Sequence, residues 1–167
     1  MKEIKRLNKS NQQDFINFNR IIRENLQNPE WFMPFSEENM LHTFDEGNTL
    51  VVYGAFVDGE LACISLFDTN EEEFKELSVA CKANPNKKGA ELGGSMVLPK
   101  FRGQNLMLDV NNKLLDVAKE MGIDYFVATV HPDNAPSNRS VQKMGMQFKT
   151  VITRAGGYLR NVYILEF

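Results

Sequence analysis

The sequence is short of the features that most quickly assign a chain to a class. Only two cysteines occur in 167 residues, Cys63 and Cys81. Two cysteines do not make a disulfide framework, and no Cys-x-x-Cys or Cys/His cluster points to zinc, so no metal is expected and a reduced, cytoplasmic setting is. No apolar run approaches the ~20 residues of a membrane span. The N-terminal stretch MKEIKRLNKSNQQ has charge but no apolar centre, so no secretory leader is expected. A basic excess is also missing. The formal net charge is -3 and the isoelectric point about 5.5, which argues against a general nucleic-acid binder while leaving room for a local basic pocket. There is no internal repeat and no low-complexity tract. What is present is an ordinary globular composition, 43% hydrophobic and 25% charged, at a length that suits one domain, residues 1–167, with a real core.

Periodicity supplies the elements. Glu3 to Leu7 reads as a short strand. Phe15, Phe18, Ile22 and Leu26 recur at helical spacing, and Asn28-Pro29 ends that helix. Pro29 to Phe35 is an aromatic, proline-broken loop. Ser36 caps a second helix with an acidic first turn, closed by Gly47. Leu50 to Val57 and Glu60 to Phe67 are strands joined by Asp58-Gly59, a strong hairpin signal. Asp68 to Gly89 is acidic in its first half, with some helical character at Phe74 and Leu77, then a polar loop, and reads as a mobile insertion. Glu91 to Leu98 is a strand interrupted by Gly93-Gly94. Leu106, Val110, Leu114 and Ala118 define a long helix ending at Gly122. Tyr125 to Val130 is a continuous apolar run, as in a buried parallel strand. A short helix opens at Asn134 and ends at Gly145, and two strands, Phe148 to Thr153 and Tyr158 to Phe167, flank Ala155 to Gly157. A strand, a helix and a second buried strand predict a parallel pair. The fold class is α/β: a mixed, mostly antiparallel twisted sheet with a central parallel pair and helices on both faces.

Three stretches carry candidate chemistry. Glycines inside a strand mark a bulge or a close approach, so Gly93-Gly94 is read as a ligand slot, with Glu91 beside it; a functionless bulge and a solvated glutamate are the plain alternative. Pro99 to Met107 leads into the long helix, whose first N–H groups and dipole suit a phosphate. Arg102 adds charged donors, Gly103 allows a tight turn, and Asn105 tolerates left-handed geometry in place of a glycine. A plain helix start with a surface arginine is the alternative there. Asn134 either caps its helix or presents an amide at a strand's carboxyl end, where α/β sheets place ligands, with Ser137 and His131 nearby.

Taken together, Leu50 to Phe167 resembles the GNAT superfamily of acetyl-CoA-dependent N-acetyltransferases. Val97-Leu-Pro99-Lys-Phe-Arg102-Gly103 matches the superfamily pattern V-x-P-x-x-R-G. Asn134-Ala-Pro-Ser137, followed by Lys143-Met-Gly145, matches its second signature. The resemblance implies that Met96, Val97, Arg102, Gly103, Gln104, Asn105, Leu106, Met107, Asn134 and Ser137 bind acetyl-CoA as co-substrate, with its pyrophosphate at the turn. It implies Glu91 as general base for the attacking amine. It also makes Trp31, Phe32, Phe35, Tyr158 and Arg160 candidates for the acceptor site. The chain departs from the superfamily at Asn105 and Met107, which stand where glycine or alanine is usual, and at Val141, where a tyrosine often serves as general acid; Tyr158 and Tyr163 are the candidate substitutes. The implied function is N-acetylation of an amine-bearing small molecule, an amino acid or a peptide. The alternatives are a catalytically degenerate acyl-CoA-binding module or sensor, and a protein-interaction domain without ligand. Neither nucleic acid nor membrane is expected as a partner, and a homodimer is left open.

Overall fold

A computed structural model describes residues 1–33 and 35–167; one position of the expected Pro29–Phe35 loop, Pro34, lies outside the described residues. In chain order the elements are β1 (Lys2–Arg6), α1 (Gln12–Glu24), α2 (Glu37–His42), β2 (Leu50–Val57), β3 (Glu60–Asp68), α3 (Glu71–Ala80), β4 (Gly89–Val97), α4 (Leu106–Glu120), β5 (Tyr125–Val130), α5 (Ala135–Lys143), β6 (Gln147–Arg154) and β7 (Tyr158–Glu166), with one-turn 3₁₀ segments at Lys9–Asn11, Pro29–Trp31 and Pro99–Phe101.

The strands form one sheet in the order β1-β2-β3-β4-β5-β7-β6. Every pairing is antiparallel except β4 with β5, which is parallel. That pair is the one expected on either side of the long helix. Side chains alternate between the two faces of each strand. On one face Leu92, Phe67, Phe126 and Ala128 pack with Val110, Leu114 and Ala118 of α4 and Val141 of α5. On the other, Val52 and Ile64 pack with Phe15, Phe18 and Ile22 of α1 and Met40 of α2, while Val127, Val162 and Ile164 pack with Phe74 and Leu77 of α3. Each large side chain buried in this way contributes about 1.5–3 kcal/mol.

Two expectations change. Residues 68–89 are not a mobile insertion: Glu71 to Ala80 is a helix that sinks Phe74 and Leu77 completely into the second face. Three glutamates in its first turn complement the helix dipole, which accounts for the acidic look of the segment. The second helix is also shorter than expected. It stops at His42, and turns carry the chain to Gly47, whose φ is +81°.

The feature that shapes the cleft is in β4. Its register against β3 slips between Ile64 and Leu66, opposite Gly93 to Met96. Gly94 has φ +59°, which an L side chain rarely adopts, and a Cβ there would meet Leu66 at 3.0 Å. Pairing with β5 ends at Leu92 and Ala128. Beyond that point β4 stays with β3, β5 stays with β7, and the two parallel strands part.

Candidate active site

A cleft of about 790 Å³ runs through this parting. One side is lined by β4 from Glu91 to Met96 and another by Ala128 to Val130 of β5. Met107 and Asn111 of α4 and Asn134, Ser137 and Val141 close one end. The other end is walled by α1, the segment after it including Trp31, Phe32 and Phe35, and by Arg154, Tyr158 and Arg160. A Cβ on Gly93 would enter open space, so the glycine keeps the floor clear.

The turn into α4 has the geometry the sequence suggested. Asn105 is left-handed at φ 58° and ψ 18°, and its side chain makes no capping bond. The first helical hydrogen bond runs from Asp109 N–H to Asn105 C=O at 3.0 Å. Among the described residues, no N–H from Gly103 to Leu108 has a hydrogen-bond partner of normal geometry. Six consecutive donors therefore stand free at the positive end of a 15-residue helix, an arrangement whose chemistry suits an anion. Arg102, Gly103, Gln104 and Asn105 are exposed, and Leu106 is buried in the core. Met107 is half-buried, packing on the core while also lining the cleft.

Met96 lines the cleft as well. Val97 follows it and packs its side chain on the α4 core. Leu98 N–H donates to Ala62 C=O on β3 at 2.9 Å. Alternation along the strand therefore directs the Val97 N–H to the opposite edge, where β5 has departed. Asn134 keeps both of its readings: its Oδ1 accepts the Ser137 N–H at 3.3 Å as an N-cap, and it is buried against the cleft beside Ser137.

Glu91 lies on the face of α1 to α3 and is largely buried. Its carboxylate accepts a hydrogen bond from Arg154 Nη1 at 2.7 Å; Arg154 Nε in turn donates to Glu76 at 3.0 Å, and Nη2 to Glu73 C=O at 3.4 Å. Burial pushes the Glu91 carboxyl above the usual carboxylate range, and Arg154 pulls part of that shift back. Burial works against the charge of Arg154, but Glu91 and Glu76 outweigh it. The Arg154 partnership had no signal in the sequence. It joins residues 63 positions apart, one on β6 and one on β4.

The two tyrosines divide. Tyr163 is buried in the main core and donates its hydroxyl to Asn138 Oδ1 at 2.6 Å, away from the cleft lining, and burial raises its pKa. Tyr158 lines the cleft, its ring 5.5 Å from the Arg160 guanidinium carbon. His131 stacks on Trp31 at 6.5 Å between ring centroids, and its Nδ1 accepts the Asp133 N–H at 3.1 Å.

Comparison with curated protein sequences finds no match. Solved structures do match over nearly the full chain. An N-acetyltransferase from Staphylococcus aureus Mu50 aligns with TM-score 0.75 at 15% identity, covering 99% of this chain and 98% of its own. Arabidopsis thaliana NAA60 in complex with acetyl-CoA gives 0.75 at 12%, covering 100% and 99%. The ribosomal-protein-S18-alanine N-acetyltransferase from Escherichia coli gives 0.71 at 15%, covering 99% and 94%. At these identities the likeness is one of fold. The family model of the Acetyltransferase (GNAT) family matches residues 22–146, three quarters of the sequence and both signature stretches, and the chain belongs to that family.

Proposed function

We propose that residues 1–167 form one acyltransferase domain that moves an acetyl group from acetyl-CoA to an amine by direct attack on the thioester. The observation that carries this reading is the parting of β4 and β5, with six unpaired N–H groups on one side of it and a buried glutamate on the other. The NAA60 neighbour holds acetyl-CoA in the same fold. Here the pyrophosphate would rest on the N–H groups of Gly103 to Leu108, with Arg102 as a charged partner. Asn134 and Ser137 would border the arm leading to the thioester, which supplies the activated acyl group. Contacts there would run through backbone N–H groups, so a methionine at position 107 is compatible with binding where its side chain stays packed on the core.

Chemistry at the parting needs three things from the protein. An alkyl ammonium, pKa near ~10.4, must lose a proton before it can attack. Glu91 is suited to accept it, since burial raises its basicity above that of an exposed carboxylate. The N–H of Val97 faces the gap and is suited to stabilise charge developing on the thioester oxygen. As the new C–N bond forms and the C–S bond breaks, the thiolate leaves; its thiol has a pKa near ~8.5, so it needs little acid help and no tyrosine at Val141 is required. Aromatic side chains of the 29–35 segment would cover the amine and keep water out.

Free-thiol release from acetyl-CoA, measured over a panel of amines with mass spectrometry of the product, tests the proposal. Amine-dependent release and an acetylated amine are expected. Binding of coenzyme A with no release on any amine would instead assign the chain to the degenerate binding-module class.

A further inference from the structure

Arg160, on β7, is only 2% exposed, yet it is one of the residues that line the end of the cleft walled by Trp31 and Tyr158. Among the described residues no carboxylate lies within ion-pair distance of it. The neighbouring Arg154 is answered by Glu91 and Glu76; Arg160 has no such counterpart. Of its five N–H donors, Nη1 gives one to Leu159 C=O at 2.7 Å and Nη2 one to Glu30 C=O at 3.1 Å. Both acceptors are neutral, and the remaining donors have no partner among the described residues. Burial, with Arg154 adding its repulsion, works against the charge, and Tyr158 offsets only part of this. Three arginines line the cleft, Arg23, Arg154 and Arg160, against two acids, Asp68 and Glu91. Glu91 is taken by Arg154, and Asp68 by Thr49 and the Asn70 N–H.

A buried guanidinium without an anion is costly unless the functional complex supplies one. We infer that Arg160 receives a carboxylate of the acceptor, so that the amine taken by this cleft is an amino acid or another amine bearing an acid group within reach of β7. The inference rests on the acetyltransferase reading above. It also explains why an arginine stands here rather than a lysine: a guanidinium can hold two carbonyls and still present a planar edge to a carboxylate. The competing role is mechanical, since the bond to Glu30 C=O ties the Pro29–Trp31 turn to β7. A latch of that kind would affect every acceptor alike, whereas charge recognition distinguishes acids from their amides.

The test uses the intact protein, acetyl-CoA, and pairs of amines that differ only at the acid: amino acids and dipeptides beside their carboxamides. From the strength of a charged hydrogen bond, wild type is expected to favour the acid by roughly 10–100-fold in kcat/KM. Arg160→Met is expected to lower kcat/KM for acids more than for amides by that same factor, mainly through KM, and Arg160→Lys to retain part of the preference. A wild type that does not distinguish the pair, or favours the amide, overturns the inference even if Arg160→Met fails to fold. So does a loss in Arg160→Met shared equally by both partners. Calorimetry with coenzyme A separates the two levels. No binding, or binding without turnover of any amine, overturns the acetyltransferase reading; binding with turnover of carboxamides but of no acid-bearing amine overturns this inference alone.

Discussion

Glu91 and Arg154 are a buried pair in which each partner sets the other's behaviour. Only the ionised carboxylate can take a proton, so kcat/KM should fall as pH drops through the Glu91 pKa. Burial has raised that pKa, so the fall should lie above the pH of an exposed glutamate. In Glu91→Gln we expect turnover lowered about 10²–10⁴-fold with this limb abolished. The loss should shrink at high pH, where more of the amine is already neutral; a pH–rate profile of wild type and variant measures both. Removing Arg154 acts in the opposite sense from removing the acid. Arg154→Ala deletes the charge that holds the Glu91 pKa down, so the acid limb should move to higher pH. It also leaves a buried carboxylate uncompensated, at a stability cost of about 3 kcal/mol. A carboxyl whose folded pKa is raised destabilises the fold as pH rises from its unfolded toward its folded pKa. The cost in Arg154→Ala should therefore be present above that window and diminish at acid pH, where Glu91 is protonated in both states. Denaturant melts at several pH values check the sign.

The turn entering α4 and the helix α3 show how elements follow from short stretches of sequence. Asn105 holds a left-handed φ of 58° where a glycine would be strain-free. Asn105→Gly should cost little or nothing, and Asn105→Ala about 1–2 kcal/mol, the penalty of a left-handed L residue without a polar side chain; urea denaturation resolves the two. This geometry was legible because few residue types tolerate it. The Asp58-Gly59 hairpin was legible for the same reason, with both residues at positive φ. Helix α3 was not. It has ten residues, its first half is three glutamates followed by Phe74 and Lys75, and Phe74 breaks helical geometry at φ -125°, so too few regular turns remained to set a period. Its packing is nevertheless complete at Leu77, which is 0% exposed. Leu77→Ala is expected to cost ~2–5 kcal/mol in denaturant unfolding. A cost below ~1 kcal/mol would return the segment to the status of a loose insertion.

At the scale of the molecule, the sheet order sets the parallel strands β4 and β5 side by side, their pairing ends at Leu92 and Ala128, and the glycine bulge in β4 follows directly after. Both signature stretches were readable because they sit at the ends of β4 and β5, where local backbone geometry is tightly constrained. Arg154 was unreadable, because its partner lies on a strand two removed from its neighbour in the sheet. The central claim is that the parting and the start of α4 receive coenzyme A. Calorimetric titration with coenzyme A, beside pantetheine lacking the pyrophosphate, tests it most directly. One site per chain with a rise in melting temperature is predicted for coenzyme A, with binding of the truncated ligand weaker by roughly 10-fold or more as the charged contacts are lost. No heat and no melting shift with coenzyme A, or equal affinity for the two ligands, would contradict it.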